Sequence, residues 1–277
     1  MDMSELPGLQ TSLDAQLLHP ISYWAAGGVV VQWNPEVVYL HASLPFECVG
    51  SSIYGGGFRS LQHIANFKVD KNYNCLDPKT DVENRLTGLG IDRRELQMAA
   101  GFLTAAQVSD AGWTVRTGQS WALLASVSVG TANGARVPKE FGWMSHSSHT
   151  RSTKGWTPGT INTLILVAGR VSHQALVGGI ITATEAKSSA LADLKVEVDE
   201  GVYATGTSTD AIVIGATQHL PFDLPAATET PEPHSDSSFF EWIEYAGLAT
   251  EFGAALGGAV YESVIRAGKR YLHRQKR

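Results

Sequence analysis

Gly159-Thr-Ile-Asn-Thr-Leu-Ile-Leu-Val-Ala168 and the segment that follows it, Ser172-His-Gln-Ala-Leu-Val-Gly-Gly-Ile-Ile-Thr-Ala-Thr-Glu-Ala-Lys187, decide the fold. The first is a short apolar, β-branched run bounded by Pro158-Gly159 and Gly169, the pattern of a strand buried on both faces. In the second and its continuation to Leu194, Ser172 supplies an N-cap and Ala175, Leu176, Gly179, Ile180, Ala183, Ala190, Leu191 and Leu194 recur at helical spacing. A helix over 172–194 is predicted, with Glu185, Lys187 and Asp193 off its apolar face. A polar turn with β-prone flanks then follows from Val202 to Ala216.

Working outward, Gly28–Trp33 and Glu36–His41 read as a hairpin turning at Asn34-Pro35. A glycine-rich loop, Ser51-Ser-Ile-Tyr-Gly-Gly-Gly57, precedes an alternating strand at Gln62–Val69. Asp77-Pro78 opens a helix-compatible stretch to about Leu89, Met98–Ala106 fits strand or helix, and Ser120–Val129 reads as a buried strand. Residues 133–158 form a long loop, of a length usually tied to function or disorder. A Gly/Ala-rich helix from about Leu248 to Leu272 closes the chain. Strands in antiparallel-looking pairs with three helices predict an α+β layered single domain. Its sheet is expected to be mostly antiparallel or mixed and packed by helices, rather than doubly wound and parallel.

The 277 residues, 43% hydrophobic and 17% charged, describe a globular chain able to bury a core. The net charge of −6 discourages a nucleic-acid partner. That charge is uneven: six of the 21 Lys/Arg lie in residues 266–277, leaving 15 against 27 acids in the rest. The expected organisation is an N-terminal extension (1–30), a domain (31–265) carrying an exposed acidic, Pro-rich insert (219–244), and a basic tail (266–277). Cys48 and Cys75 are too few for a disulfide framework or a four-thiolate metal site, which points to a reducing cytoplasm. No apolar run approaches the ~18–20 residues of a membrane span, and MDMSELPGLQ lacks the features of a signal peptide.

Zincin, nucleophile-elbow, Walker and dinucleotide motifs are absent. His146 and His149 have a metal-like spacing, but no Cys is near and the closest acid is Glu140, so no metal is expected. Thr205-Gly-Thr-Ser-Thr-Asp210 offers hydroxyls, a carboxylate and backbone donors in six residues. The competing reading is a turn whose hydroxyls cap their own backbone. Asn162, inside a buried strand, must either tie strand to strand or face a ligand, because an unpaired buried amide costs about 1–3 kcal/mol. Glu185, among small neighbours, poses the same choice against a surface carboxylate paired with Lys187.

Six ordered blocks carry a resemblance: Ser51–Gly57; Val129-Gly-Thr-Ala-Asn133 with Ala135-Arg136; Pro158–Val167; Ile181–Lys187 continuing to Ala190–Leu194; Ala204–Val213; and Tyr245–Gly253 leading to Gly258–Tyr261. Together they resemble the CbiZ family, the adenosylcobinamide amidohydrolases. The resemblance implies cleavage of the amide that joins a corrin propionyl side chain to aminopropanol, giving adenosylcobyric acid in cobinamide salvage for cobalamin biosynthesis. It implies a corrinoid substrate that carries its own cobalt and no separate cofactor. The runner-up is a non-catalytic corrinoid-binding or carrier protein of the same fold. Catalytic candidates are Asn162, Glu185, Thr207, Ser208, Thr209 and Asp210. Candidates for substrate contact are Gly55, Gly56, Gly57, Asn133, Thr160 and Thr163. In the expected mechanism Asp210 or Glu185 activates water or a Thr/Ser hydroxyl, while Asn162 and N–H groups near Gly206 hold the oxyanion. A glycine-preceded threonine could also become a new N-terminus by self-cleavage. A homo-oligomer is compatible with all of this.

Overall fold

The computed structural model describes residues 9–12, 21–137, 159–221 and 242–276. The predicted insert and the His146/His149 pair lie largely or wholly outside the described residues. Ten strands form one mixed sheet: β1 (Leu9–Ser12), β2 (Ile21–Trp24), β3 (Val29–Trp33), β4 (Val37–Gly50), β5 (Gly57–Lys68), β6 (Ala99–Thr104), β7 (Gly112–Thr117), β8 (Ala122–Val129), β9 (Ile161–Ala168) and β10 (Ala211–Ala216). Three α-helices accompany them: α1 (Pro78–Gly88), α2 (His173–Asp193) and α3 (Glu251–Gln275). The chain is α+β, as its element pattern predicts.

The strand order is β1-β2-β3-β4-β10-β9-β8-β7, with β5 on β4 and β6 on β5. β4 is the branch point. Its first half pairs with β3 and its second half with β10, while β5 runs along its other side with a register shift between His41 and Phe46. Most pairings are antiparallel; β9–β10 and β5–β6 are parallel.

β9 carries the architecture. All eight of its residues are buried, and the period of two sends them to opposite sides. Leu164, Leu166 and Ala168 enter a core with Leu40, Ile64, Phe102, Trp113 and Leu124. Ile161, Ile165 and Val167 face a second core built with Leu176, Ala183 and Leu191 of α2 and Leu256, Val260 and Val264 of α3. Ser172 caps α2 by accepting from Ala175 N at 3.1 Å. Asp77 caps α1, accepting from Thr80 N at 3.1 Å. The Met98–Ala106 ambiguity resolves to a strand, because β6 pairs with β5 and lies under Val82 and Leu86 of α1, with all six residues buried.

Two expected boundaries move. Ile21–Trp24 pairs with β3, and Trp24 is 1% exposed in the first core, so the sheet begins inside the expected N-terminal extension. The basic C-terminal run is the end of α3 rather than a separate tail. Its Ala267 and Gly268 are buried, the latter against Leu194. Arg266 donates to Trp113 O and Arg270 to Ala111 O, both at 2.9 Å, and Arg274 pairs with Asp110. Spacing of four puts these three arginines on one helix face, where they hold the edge strand β7 and the turn before it. Among the described residues no helix is long and apolar enough to cross a membrane.

Candidate active site

Where β9 and β10 begin and β6 ends, the sheet opens into a cavity of about 670 Å³, within the usual range for small-molecule sites. Ile53, Val69, Phe102, Leu103 and Pro78 give it apolar walls, and the turn Lys71–Cys75 forms one side. The floor is polar, made by Gly159, Thr160, Asn162 and Thr209.

The floor is tightly bonded. Thr209 Oγ1 donates to Gly159 O at 2.6 Å, and Thr160 Oγ1 donates to Thr209 O at 2.8 Å. Behind them, Asn133 Nδ2 donates to Ser208 Oγ at 2.9 Å and to Thr209 Oγ1 at 3.3 Å. Gly159 has no room for a side chain: a Cβ there would meet Asn133 Oδ1 at 2.3 Å and Gly130 O at 2.9 Å.

Asn162 resolves its dilemma by doing both things. Its Nδ2 donates to Leu103 O at 3.0 Å and to Asn66 Oδ1 at 2.9 Å, tying β9 to β6 and β5, while the residue lines the cavity. The carbonyl of Leu103 can only accept, which fixes the amide orientation. Both amide protons are then spent, so Asn162 has none left for an oxyanion and serves to position the floor.

Asp210 is likewise engaged. It accepts from Ile161 N at 3.1 Å, Thr207 N at 3.1 Å, Thr207 Oγ1 and Lys187 Nζ at 2.5 Å. The Lys187 and Asp210 side chains are only 13% and 18% exposed. Four donors on one carboxylate make it the staple that fixes the Thr205–Asp210 turn against α2 and β9. Gly206 lies close against this pair: a Cβ there would lie 2.4 Å from Asp210 Oδ2 and 2.8 Å from Lys187 Nζ, so any larger residue would displace the two charged ends.

At the end of β6, Thr104 is 2% exposed and accepts from Ala106 N at 3.1 Å. It lines the cavity, and its hydroxyl proton has no acceptor among the described residues. Tyr73 donates to Asp81 at 2.8 Å; burial first, then that hydrogen bond, push its phenol above the ordinary range and keep it protonated.

A family model described as adenosylcobinamide amidohydrolase matches residues 26–230. The chain belongs to this family. It is 29% identical over 224 residues to the adenosylcobinamide amidohydrolase of Methanosarcina mazei, covering 80% of this chain and 90% of that protein. It is 23% identical over 224 residues to an uncharacterized protein of Methanocaldococcus jannaschii, covering 76% and 78% of the two chains. Among solved structures, a Burkholderia sp. beta-aminopeptidase covers 96% of this chain and 84% of its own, at 14% identity and a TM-score of 0.38.

Five of the six blocks that carry the family resemblance converge on this cavity, and the sixth, Tyr245–Gly253 with Gly258–Tyr261, packs in the helix-side core. Ile53, Gly159, Thr160, Asn162 and Thr209 line the cavity, with Asn133, Lys187 and Asp210 immediately behind. Not every sequence candidate arrives there. Glu185 is exposed on α2 and makes no hydrogen bond or ion pair among the described residues; two residues from Lys187, it points roughly 200° away around the helix. Thr163 faces the helix layer, one residue out of phase with Asn162. Gly55, Gly56 and Gly57 shape the approach of the loop without lining the cavity. Gly55, at φ +73°, passes so close to β6 that a Cβ would meet Ala99 O at 2.1 Å. Thr207 and Ser208 sit behind the floor, bonded to Asp210 and Asn133.

Sequence reading missed Lys187 as the partner of Asp210 and Thr104 as a cavity hydroxyl. Lys187 stood next to a more conspicuous carboxylate. The signal for Thr104 was a lone hydroxyl at the end of a wholly buried run.

Proposed function

We propose that this chain hydrolyses the amide between a corrin propionyl side chain and aminopropanol, with adenosylcobinamide as substrate and adenosylcobyric acid as product. The observation that carries the reading is the pairing of a broad apolar cavity with a floor carrying two hydroxyls, the buried Thr160 and the exposed Thr209, in a member of this family. The walls suit a macrocycle face, and the floor suits one amide. Thr160 Oγ1 gives its proton to a backbone carbonyl and keeps lone pairs for attack. Thr104, whose hydroxyl proton is not spent on a described acceptor, is the group placed to donate to a developing oxyanion, while Thr209 gives its proton to Gly159 O and holds the floor. Asp210, Lys187, Asn133 and Asn162 hold this floor in place. The cobalt belongs to the substrate, and no resident cofactor enters the reaction.

Incubating purified protein with adenosylcobinamide and measuring aminopropanol and cobyric acid by mass spectrometry tests the reading. Stoichiometric release is expected, with kcat reduced roughly 1,000-fold in Thr160→Ala. Tight binding of the corrinoid with no release would overturn hydrolysis and leave a carrier.

A further inference from the structure

The peptide bond between Gly159 and Thr160 is itself built like a substrate of this site. Its carbonyl oxygen is the one that accepts from Thr209 Oγ1 at 2.6 Å, and Asn133 Nδ2 in turn donates to that hydroxyl at 3.3 Å. The hydroxyl that follows in the chain, Thr160 Oγ1, lies on the cavity floor in a residue 5% exposed, its proton directed to Thr209 O. Gly159 leaves the carbonyl carbon without a side chain to shield it. A bulkier residue is excluded by Asn133 and by the backbone at Gly130 and Ala132. A polarised carbonyl, a β-hydroxyl one residue on and an enforced glycine are the three requirements for intramolecular acyl transfer.

We infer that the chain cleaves itself between Gly159 and Thr160. Thr160 Oγ1 adds to the Gly159 carbonyl carbon and loses its proton to cavity water, while the carbonyl oxygen takes up charge against Thr209. The C–N bond then breaks, its nitrogen gains a proton, and the Gly159 acyl group stays on Oγ1 as an ester. Water hydrolyses that ester to a Gly159 carboxylate and restores the Thr160 hydroxyl. The net change is addition of one water to one peptide bond. The fragment beginning at Thr160 stays in place because β9 is paired on both sides, with β8 and β10.

The product supplies what the floor otherwise lacks. Asp210 is saturated by four donors, Glu185 is remote and no Asp or Glu lines the cavity among the described residues, so the floor holds no free carboxylate to take a proton from Thr160. A new α-amine, with an ordinary pKa of about 7.7–8.0, would stand beside Thr160 Oγ1 as its base, the threonine/N-terminal-amine form of an activated nucleophile. This role rests on the proposed amidohydrolase activity; the cleavage does not.

Intact-mass measurement and N-terminal sequencing of the full chain, followed from fresh synthesis, test the inference. Two fragments meeting at Gly159/Thr160 are expected, produced also by Thr160→Ser and not by Thr160→Ala, with cleavage about 100-fold slower in Thr209→Val. Circular dichroism confirms that each variant is folded. A wild-type chain that stays whole after prolonged incubation overturns the proposal whether or not it is active, as does cleavage at the same bond in Thr160→Ala. A cleaved protein without amidase activity upholds the inference and removes the functional reading instead, so the two failures are distinguishable.

Discussion

The carboxylates of Asp210 and Glu185 look equally available along the chain, but their surroundings make them unlike. Asp210 joins Lys187, Thr207 and the backbone of Ile161 in a pocket where neither charged side chain exceeds 18% exposure. Removing one partner of such a pair leaves an uncompensated buried charge. Asp210→Asn is expected to lower unfolding free energy by about 3 kcal/mol in urea denaturation. Glu185→Gln should stay within about 0.5 kcal/mol and leave turnover at the wild-type level. Equal losses in the two variants would contradict the staple. The Thr-rich turn, with its carboxylate and hydroxyls, was legible as a chemical site from its composition. That its carboxylate is spent on Lys187 and on a neighbouring strand was not, because those partners lie 23 and 49 residues away in sequence.

At the scale of elements, α3 lies directly against β7. A Cβ added to Gly112 would sit 1.9 Å from Ser263 O, and Ser263 Oγ bonds Thr114 Oγ1 at 2.9 Å beside it. The helix backbone cannot give way there, since Val260, Val264 and Ala267 are locked into the core on either side. Gly112→Ala is expected to cost about 1–3 kcal/mol of stability; a neutral result would show that α3 can shift freely on the sheet. β8, β9, α2 and most of α3 were legible because each is long, strongly patterned or capped. β7 was not, being six residues whose burial comes from α3 far along the chain. The basic C-terminal run misled for a related reason: six cations read as a solvated end until the helix reaches the carbonyls of residues 111 and 113.

For the whole molecule, stability should depend on pH through one buried imidazole at the β4–β5 register shift. His63 is 5% exposed and stacks on His41 at 4.8 Å. Tyr39 lies 2.7 Å from His63 Nδ1; burial first, then Glu95, raise that phenol to about 12, so it stays protonated and donates to the neutral ring. Burial, then the charge of His41, lower the pKa of His63, against the opposing pull of Glu95 and Asp92. With the folded pKa below the unfolded value, the unfolded chain binds the extra proton first as pH falls, so stability is full above about pH 6.5 and declines below it. The urea midpoint is expected to drop between pH 7.5 and pH 5, and His63→Gln should flatten that slope; an unchanged slope would move the titration elsewhere. The sequence by itself determined the α+β class, the strand–helix–strand unit around residues 159–216 and the ordered blocks of the family, because local periodicity, capping and turn chemistry need no distant partner. Only the tertiary structure decided which polar residues share a cavity, which are spent on one another, and that Gly159 O, Thr160 and Thr209 meet. Hydrogen-bond saturation and burial depend on chain segments that only folding brings together.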